Sequence, residues 1–174
     1  MVYPIGGVEV LDVRTHLDER GVFTNIFSSR LILEKTSMRE FQVFYSYNVT
    51  AGTLRGFHFQ KEPSEEFKFI FCLTGEVCDI LVDVRPDSPS YGLTNEFSLS
   101  GENGKLLLVP PGVAHGYQTL RDHTSLIYAI TGKYEESLQE RFNPLSTKFI
   151  DLWPLPATSI SIIDRNSRTW PIES

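Results

Sequence analysis

Two segments of the chain combine a histidine with glycines and a basic residue, and both could take part in chemistry. The first covers residues 52–60 and reads GTLRGFHFQ, and the second covers residues 104–115 and reads GKLLLVPPGVAH. A histidine can gain and lose a proton near neutral pH. A positively charged side chain near it can stabilise negative charge that develops on a substrate oxygen. These residue types therefore indicate proton transfer or metal binding.

The spacing within the two segments resembles the two motifs of the cupin superfamily, which line the mouth of one jelly-roll barrel. The second segment matches closely, because Gly104 is followed by five residues, Pro-x-Gly, two residues and His115. The first segment departs from the pattern, since Phe-Gln follows His58 where a metal-binding cupin has a second histidine and then a glutamate. A metal site made of His58, Gln60, Glu65 and His115 is an alternative, although imidazole and carboxylate ligands are preferred at such sites.

A second resemblance extends over nearly the whole chain. Seven short stretches occur in the order typical of dTDP-4-dehydrorhamnose 3,5-epimerases, namely residues 18–23, 54–60, 75–79, 82–85, 88–92, 114–117 and 153–154. Members of that family are metal-free cupins that act as homodimers on nucleotide-linked 4-keto-6-deoxy sugars. The resemblance therefore implies a homodimeric isomerase of deoxysugar biosynthesis, such as rhamnose formation, that uses no cofactor. Its substrate would be a 4-keto-6-deoxy sugar carried on a nucleotide diphosphate such as dTDP.

Inversion of such a sugar requires a base, an acid and a positive charge. The ketone at C4 acidifies the hydrogens on C3 and C5, so a base can remove one and an acid can return a proton to the opposite face. A cation stabilises the enolate oxygen between the two steps. By resemblance, the base is His58 paired with Asp164, the acid is Tyr128 and the cation is Lys68. Regular alternation along the strand predicts that His58 shares a face with Leu54 and Gln60 and points away from Arg55.

The resemblance also identifies residues that would bind the substrate. Arg20 and Arg55 match positions that hold the nucleotide diphosphate, for which a bidentate guanidinium is well suited. Residues 24–25 and 43–46 depart from the family, which carries an acidic residue in the first stretch and Gln and Asn in the second. We therefore expect a retained catalytic centre beside an altered specificity pocket, whose wall would include Phe44. The further candidate substrate contacts are Phe23, Asn25, Tyr45, Gln60, His115 and Tyr134, of which His115 is expected to support the pocket rather than react.

Three functions stay open from the residues. The first is epimerisation at C3, at C5 or at both carbons, because all three outcomes use the same side chains. The second is a metal-dependent cupin enzyme. The third is a non-catalytic module that binds a nucleotide sugar, since a fold alone does not specify a function.

The elements that would hold these residues are mostly short strands. β-rich runs alternate with Gly, Pro, Asn and Asp about every ten residues, which is typical of a sandwich or barrel. We therefore predict one all-β domain over residues 1–174, a cupin-type double-stranded β-helix or jelly roll. It adds a short N-terminal helix over residues 28–35, capped by Ser28 or Ser29, and an irregular C-terminal tail from Leu145. The predicted strands cover residues 8–13, 41–48, 67–73, 77–84, 95–99, 105–109, 117–120 and 125–131.

The best-defined unit is a predicted hairpin over residues 67–85, with a two-residue turn at 74–75. This register places Lys68 beside Asp79 and Asp83 on one face, where two carboxylates would keep the lysine charged. The other face is almost wholly apolar. It must therefore be covered by another sheet or by a partner chain, and this requirement also supports a homodimer.

Composition argues against several classes of protein. The chain has 174 residues with 22 acidic and 16 basic side chains, and the resulting formal charge of −6 argues against a nucleic-acid surface. The N-terminal residues lack a signal-peptide pattern and no run of about eighteen apolar residues occurs, so we expect a cytoplasmic protein without a membrane partner. The two cysteines, Cys72 and Cys78, lie on opposite faces of the predicted hairpin, so we expect unpaired, buried thiols.

Overall fold

Two β-sheets face each other across the main hydrophobic core. The computed structural model describes residues 4–64, 66–132 and 134–170. The first sheet has the strand order β1 (Glu9–Asp12), β9 (Lys105–Val109), β6 (Lys68–Thr74), β11 (Thr124–Thr131), β4 (Phe41–Asn48). The second has the order β12 (Gln139–Arg141), β5 (Thr53–Gln60), β10 (Val113–Thr119), β7 (Glu76–Asp83), β8 (Thr94–Ser100), with β13 (Ser159–Ile160) parallel to β5. The described ranges also contain a hairpin of β2 (Thr15–Asp18) and β3 (Gly21–Thr24), the helices α1 (Ser29–Thr36) and α2 (Ile162–Arg165), and 3₁₀ turns at Glu136–Leu138 and Ile150–Leu152.

Strands β6 and β7 do not form the hairpin that the sequence predicts. β6 pairs with β9 and β11 in the first sheet, whereas β7 pairs with β8 and β10 in the second. Gly75 carries the chain from one sheet to the other with a φ of +77°, and a Cβ atom there would collide with Thr124. Two strands that pair side by side and two strands that face each other have the same apolar pattern. Alternation alone therefore did not distinguish the two arrangements.

The predicted division of these two strands into inner and outer faces is confirmed. The inner side chains Ile70, Cys72, Val77 and Leu81 belong to the core cluster between the sheets. The outer side chains form two separate clusters, one for each sheet. Their members are Phe69 and Phe71 in the first sheet, and Cys78, Ile80 and Val82 in the second.

The chain itself covers both outer clusters, so the prediction of another sheet or a partner chain over this face was wrong. Helix α1 covers the first sheet with Ile32, which is fully buried. The helix matches its prediction, since Ser28 accepts the backbone N–H of Leu31 at 3.1 Å and caps the first turn. Local sequence was sufficient here because the cap and the buried residue are neighbours along the chain.

The C-terminal tail covers the second sheet. Phe57 of β5 stacks on Phe142 and contacts Phe149, with 4.7 and 4.9 Å between ring centroids. Trp153 packs in the same cluster and donates its Nε1 hydrogen to the carbonyl of Pro144 at 2.9 Å. Each such buried ring contributes roughly 2 to 3 kcal/mol. This packing holds the tail, and with it α2, against β5.

Large apolar side chains are exposed at several places, including the β2–β3 hairpin, β4 and α2. On the β2–β3 hairpin, Leu17, Val22 and Phe23 are each more than two thirds exposed. On β4, which lies at the end of the first sheet, Val43 and Tyr45 are more than half exposed. Strands β2 and β3 were not predicted from the sequence, because neither has a buried face that would produce an alternating pattern.

Both cysteines are buried and free, as predicted. Cys72 lies in the core between the sheets and Cys78 lies under the tail. Burial raises the pKa of the Cys72 thiol to about 11 and that of Cys78 to about 12. In the described part of the chain, no helix has the length and apolar character needed to cross a membrane.

Candidate active site

His58 and Asp164 form a hydrogen-bonded pair between β5 and α2. Nε2 of His58 lies 2.6 Å from Oδ1 of Asp164. Ser161 caps the N-terminus of α2. Its hydroxyl accepts the N–H of Asp164 at 3.0 Å, which holds that residue in place. Burial by itself raises the pKa of Asp164, but the hydrogen bond and charge of His58 help to outweigh it and keep this pKa below its ordinary value. Asp164 is therefore a carboxylate at neutral pH and can orient the imidazole.

Strand β5 contains one extra residue relative to its neighbour β10. His115 lies opposite His58, but Tyr117, two residues later, lies opposite Arg55, three residues earlier. Regular alternation predicted that His58 shares a face with Leu54 and points away from Arg55, and this prediction was wrong. Leu54 belongs to the outer cluster, because a bulge of one residue reverses the alternation on its far side. The bulge thereby brings Arg55 to the same side as His58.

Gly56 occupies the bulge. Its φ is +124°, and a Cβ atom at this position would collide with the Cα of Gly116 on β10. Any side chain at residue 56 would therefore push β5 and β10 apart. The glycine of this motif is therefore required by the packing of β5 on β10, independently of the chemistry of His58.

Lys68 is held by Glu66 and by the backbone of β5. Its Nζ lies 3.0 Å from Oε1 of Glu66 and donates to the carbonyl of His58 at 3.0 Å. Gln60 donates to the other oxygen of Glu66 at 2.6 Å, and all three side chains are buried. The ion pair with Glu66 therefore holds the Lys68 side chain next to the backbone of His58.

The prediction that Asp79 and Asp83 hold Lys68 was wrong. Both carboxylates face the interior, but each has other partners, because β6 and β7 lie in different sheets. Asp83 accepts hydrogen bonds from Arg85, Ser88 and Ser90. These bonds outweigh the effect of burial and hold the pKa of Asp83 well below its usual range.

Asp79 pairs with the second predicted histidine. Nε2 of His115 lies 2.8 Å from Oδ2 of Asp79, and both side chains are buried. Oδ1 of Asp79 is buried and has no hydrogen-bond partner among the described residues. The pair lines the interior next to Tyr128, whose ring meets His115 edge-on with 6.3 Å between centroids. The Asp79 carboxylate thus fixes the orientation of His115.

Tyr128 approaches from the opposite sheet. It lies on β11, whereas His58 and His115 lie on β5 and β10. Burial raises the pKa of Tyr128 well above its ordinary value. Tyr128 is therefore protonated at neutral pH, which suits a group that gives up a proton during the reaction.

The Tyr117 hydroxyl connects the two sheets. It lies 2.9 Å from Oγ of Ser46 and 3.3 Å from Nδ2 of Asn48, and both partners are on β4. Oδ1 of Asn48 accepts the Nε hydrogen of Arg55 at 2.9 Å. Asn48 therefore joins Arg55, a candidate diphosphate ligand, to the Tyr117 hydroxyl.

The remaining predicted contacts do not lie beside His58 within one chain. Arg20 and Phe23 are exposed on the β2–β3 hairpin, where Arg20 pairs with Asp18, and Asn25 is exposed just after the hairpin. Tyr45 lies on the outer side of β4, where its hydroxyl is 3.2 Å from Oγ of Ser125.

Two candidate positions lie closer to the site. Phe44 on β4 is directly opposite Tyr128 in the strand register, so it belongs to the wall beside the candidate acid. Tyr134 is exposed and precedes Glu135, whose N–H donates to Gln60 at 3.0 Å. The residue after Tyr134 therefore contacts Gln60, which bonds to the Glu66 partner of Lys68.

Comparison with known proteins identifies the family. The family model described as dTDP-4-dehydrorhamnose 3,5-epimerase matches residues 3–171. The chain belongs to this family. The dTDP-4-dehydrorhamnose 3,5-epimerase of Shigella flexneri is 34% identical over 166 residues, which cover 94% of this chain and 91% of that protein.

Two solved epimerases share the fold over most of their length. The crystal structure of dTDP-4-dehydrorhamnose 3,5-epimerase from Bacillus anthracis, with TDP and PPi bound, has a TM-score of 0.85 and 34% identity and covers 93% of each chain. The dTDP-6-deoxy-D-glucose-3,5-epimerase from Legionella pneumophila, in complex with dTDP-4-keto-L-rhamnose, has a TM-score of 0.86 and 29% identity. That match covers 95% of this chain and 88% of the Legionella chain. The predicted family, the all-β cupin fold and the assignment as an epimerase are thereby confirmed.

The residues of the alternative metal site do not fit a metal centre in this epimerase. Both ends of the Gln60 amide are already bonded, since Nε2 donates to Glu66 and Oε1 accepts the N–H of Glu135. Glu65 lies outside the described residues. Across residues 4–64, 66–132 and 134–170, no group of three or more His, Cys, Asp or Glu side chains is arranged to hold a metal ion.

Three residues of the site were missed from the sequence. Glu66 precedes Lys68 by two positions, and an acidic residue at that spacing beside a buried lysine could have indicated the pair. Asn48 and Tyr117 gave no such signal, since an asparagine at a strand end and a tyrosine in an apolar run are common. Their roles depend on contacts between β4 and β10, which belong to different sheets.

Proposed function

We propose that this epimerase inverts C3, C5 or both carbons of a dTDP-linked 4-keto-6-deoxy sugar by removing and returning a proton. The observation that carries the proposal is the grouping of the His58–Asp164 pair, Lys68 and Tyr128 in the interior of one barrel. The Legionella relative bound to dTDP-4-keto-L-rhamnose supports a dTDP sugar as the substrate.

His58 acts as the base through its Nδ1 atom. The Asp164 carboxylate accepts a hydrogen bond at Nε2, so a neutral imidazole carries its proton on Nε2 and leaves the lone pair on Nδ1. Nδ1 takes the proton from C3 or C5, and the electrons of that C–H bond move into the enolate of the C4 ketone. The resulting imidazolium is stabilised by Asp164.

Lys68 stabilises the enolate oxygen. Its Nζ is fixed by Glu66 and by the carbonyl of His58, so the ammonium lies close to the base without free rotation. A pre-positioned charge in a buried site stabilises a developing oxyanion more than a hydrated charge does. Gln60 contributes indirectly, since it holds the second oxygen of Glu66.

Tyr128 returns the proton. Tyr128 belongs to the sheet opposite that of His58. A sugar ring bound between the two sheets therefore presents one face of its reacting carbon to His58 and the opposite face to Tyr128. Transfer of the Tyr128 hydroxyl proton to the carbanion carbon inverts the centre and leaves a phenolate. The phenolate regains a proton from solvent and His58 loses one, which restores both groups for the next turnover.

Arg55 binds the diphosphate at the edge of this group. It is exposed, and its Nε is already held by Asn48, so its terminal nitrogens are directed toward solvent and a bound phosphate. His115, Phe44 and Tyr134 complete the pocket wall. The departures at residues 43–46 support a specificity that differs from that of the relatives.

The active form is a homodimer in which a second copy covers the exposed apolar surface of β4 and the β2–β3 hairpin. In such a dimer Arg20, Phe23 and Asn25 would contact substrate across the subunit interface, which would account for their distance from His58 in one chain. Light scattering at micromolar protein concentration tests whether the protein is a dimer. A monomeric mass would contradict it.

We also place the protein in the cytoplasm. Two buried thiols that remain free suit a reducing compartment. Fractionation of the native cells, followed by detection with an antibody to this chain, tests the location.

Exchange of substrate hydrogens tests the proposed reaction. The protein is incubated in deuterated water with dTDP-4-keto-6-deoxyglucose, and proton NMR follows protium at C3 and C5. Loss at both carbons with inversion identifies a 3,5-epimerase, and loss at one identifies a 3- or 5-epimerase. The absence of exchange with wild-type protein would contradict the proposal and favour a binding module.

A pair of histidine variants makes the test specific. His58→Ala should abolish exchange and leave the thermal midpoint near that of the wild type. His123→Ala serves as the control, because His123 lies outside the barrel interior, where it contacts Tyr47. Equal exchange by the two variants would remove His58 from the mechanism.

A further inference from the structure

Asn48 places a primary amide in the interior of the protein, at the end of β4. Its side chain is 2% exposed. A buried amide costs free energy unless its hydrogen bonds are made, and an apolar residue at the same place would carry no such cost. The partners of this amide therefore have to explain why it is there.

The orientation of the Asn48 amide is fixed by two partners that each have a single role. Nδ2 lies 3.2 Å from the carbonyl oxygen of Thr124, which only accepts, and Oδ1 lies 2.9 Å from Nε of Arg55, which only donates. Nδ2 also donates to the Tyr117 hydroxyl at 3.3 Å. Asn48 thus ties Arg55, which belongs to one sheet, to β4 and β11 of the other sheet.

Tyr117 supports this arrangement from β10. It lies directly opposite Arg55 in the strand register, so the two side chains stand next to each other on one face. Its ring packs in the central core cluster and is 2% exposed, and its hydroxyl lies 2.9 Å from Oγ of Ser46 as well as bonding to Asn48. A phenylalanine would fill the same core space. The hydroxyl is therefore explained by its bonds to β4 and not by packing.

The guanidinium of Arg55 is exposed beyond its contact with Asn48. Within the described ranges, no side chain or carbonyl group bonds to its two Nη atoms. Because Nε is already bonded, a phosphate can be held by two parallel hydrogen bonds only through the end formed by Nη1 and Nη2. An exposed arginine without such an anchor loses its freedom of rotation when a ligand binds, and this loss lowers the affinity.

We propose that Asn48 and Tyr117 are positioning residues for substrate binding, which hold Arg55 so that Nη1 and Nη2 face the diphosphate of the nucleotide sugar. The proposal rests on one point of the proposed function, namely that Arg55 binds the diphosphate. Part of the affinity for the nucleotide then comes from two buried side chains that act through Arg55.

Calorimetric titration with dTDP tests the proposal without turnover. Asn48→Ala should weaken dTDP binding about tenfold, because the released guanidinium has to be immobilised when the ligand binds. Tyr117→Phe should weaken it about threefold, since Asn48 keeps its bonds to Thr124 and Arg55. With the sugar substrate, the KM should rise by similar factors while kcat stays within about twofold of the wild type. Unchanged dTDP affinity in both variants would overturn the proposal.

The same substitutions in an Arg55→Ala background distinguish positioning from a purely structural role. If Asn48 and Tyr117 act through Arg55, neither Asn48→Ala nor Tyr117→Phe should weaken dTDP binding further once the guanidinium is gone. Equal losses in the two backgrounds would show that these residues only support the fold, and would overturn the proposal. Tyr117→Phe removes a single oxygen atom, so it keeps the test decisive even if Asn48→Ala does not fold.

Asn103→Ala is the matched control for loss of an amide. The Asn103 side chain donates to the carbonyl of Ser98 at 2.9 Å and accepts the N–H of Ser100 at 3.2 Å, on the turn between β8 and β9. This variant should bind dTDP as the wild type does. A tenfold loss there as well would mean that removal of any bonded amide weakens binding, and would overturn the specific role of Asn48.

Two results separate failure of this proposal from failure of the proposed function. Full dTDP affinity in Arg55→Ala would overturn the diphosphate contact and the positioning role together, while hydrogen exchange at C3 and C5 would still report the reaction. A wild type that binds dTDP with the expected dependence on Arg55, but exchanges no substrate hydrogen, would overturn the proposed reaction and support the positioning role.

Discussion

Nε2 of His58 lies 2.6 Å from Oδ1 of Asp164, although 106 residues separate the two in the chain. The contact depends on the C-terminal tail, which packs its aromatic side chains against β5 and ends in the short helix that carries Asp164. The tail, which has little regular secondary structure, therefore covers the second sheet and also carries the carboxylate that bonds to the proposed base.

Asp164→Asn should lower kcat on the order of a hundredfold while the protein stays folded. The amide carries no charge to stabilise the imidazolium, and its NH₂ group can donate to Nε2 and force the proton onto Nδ1, the atom that must accept. Steady-state kinetics measure the effect. Asp151→Asn is the control on the same tail, since Asp151 is exposed, and an equal loss there would indicate general damage to the tail.

Lys68→Met should lower kcat about a hundredfold, because the enolate oxygen loses its positive partner in a buried site. The KM should change less than kcat, since the charge acts mainly on the transition state. Lys61→Met provides the comparison, because Lys61 is half exposed and pairs with Glu140. Retention of wild-type kcat by Lys68→Met would show that another group stabilises the enolate.

Asp83→Asn should lower the free energy of unfolding by about 3 kcal/mol at pH 7, because it breaks a buried charge pair with Arg85 and two serine hydrogen bonds. Folding lowers the pKa of Asp83 from its ordinary 3.8, so the stabilisation is complete above that pH and is lost as the pH falls toward the folded pKa. Urea titrations at pH 7 and pH 3 should therefore show a smaller difference in unfolding free energy between the wild type and Asp83→Asn at pH 3. Asp87→Asn, on the same loop and exposed, should have little effect at either pH.

Gly56→Ala and Gly21→Ala separate backbone strain from steric collision. Both glycines have nearly the same φ, +124° and +122°, but a Cβ at Gly56 would collide with Gly116, whereas a Cβ at Gly21 meets nothing within 4 Å. We expect a cost of about 1 kcal/mol for Gly21→Ala and at least about 3 kcal/mol for Gly56→Ala. Thermal and urea unfolding measure both values. Equal losses would mean that β5 and β10 can separate without penalty.

Much of the fold was predictable because it depends on short stretches of chain. Helix α1 requires a capping serine and a buried Ile32 four residues later, and both signals are local. The strand faces of residues 67–85 follow from alternation, and they were correct even though the strands turned out to lie in different sheets. The candidate residues His58, Lys68, Tyr128 and Asp164 came from motif order, which the sequence carries directly.

Local patterns failed wherever the decisive contact joined distant strands. The bulge at Gly56 reverses the side of Arg55 because Gly116 lies against it on β10. Lys68 binds Glu66 instead of Asp79 and Asp83 because the chain crosses to the other sheet at Gly75.

The sequence by itself determined the family, the β-rich architecture and the identity of the candidate acid, base and cation. The tertiary structure decided contacts that the sequence did not show: Glu66 for Lys68, Asp79 for His115, and Asn48 for Arg55. The physical reason is that alternation and turn signals report which face a side chain occupies. They carry no information about which strand packs against that face, because that choice depends on the free energy of all the contacts formed when the two sheets close.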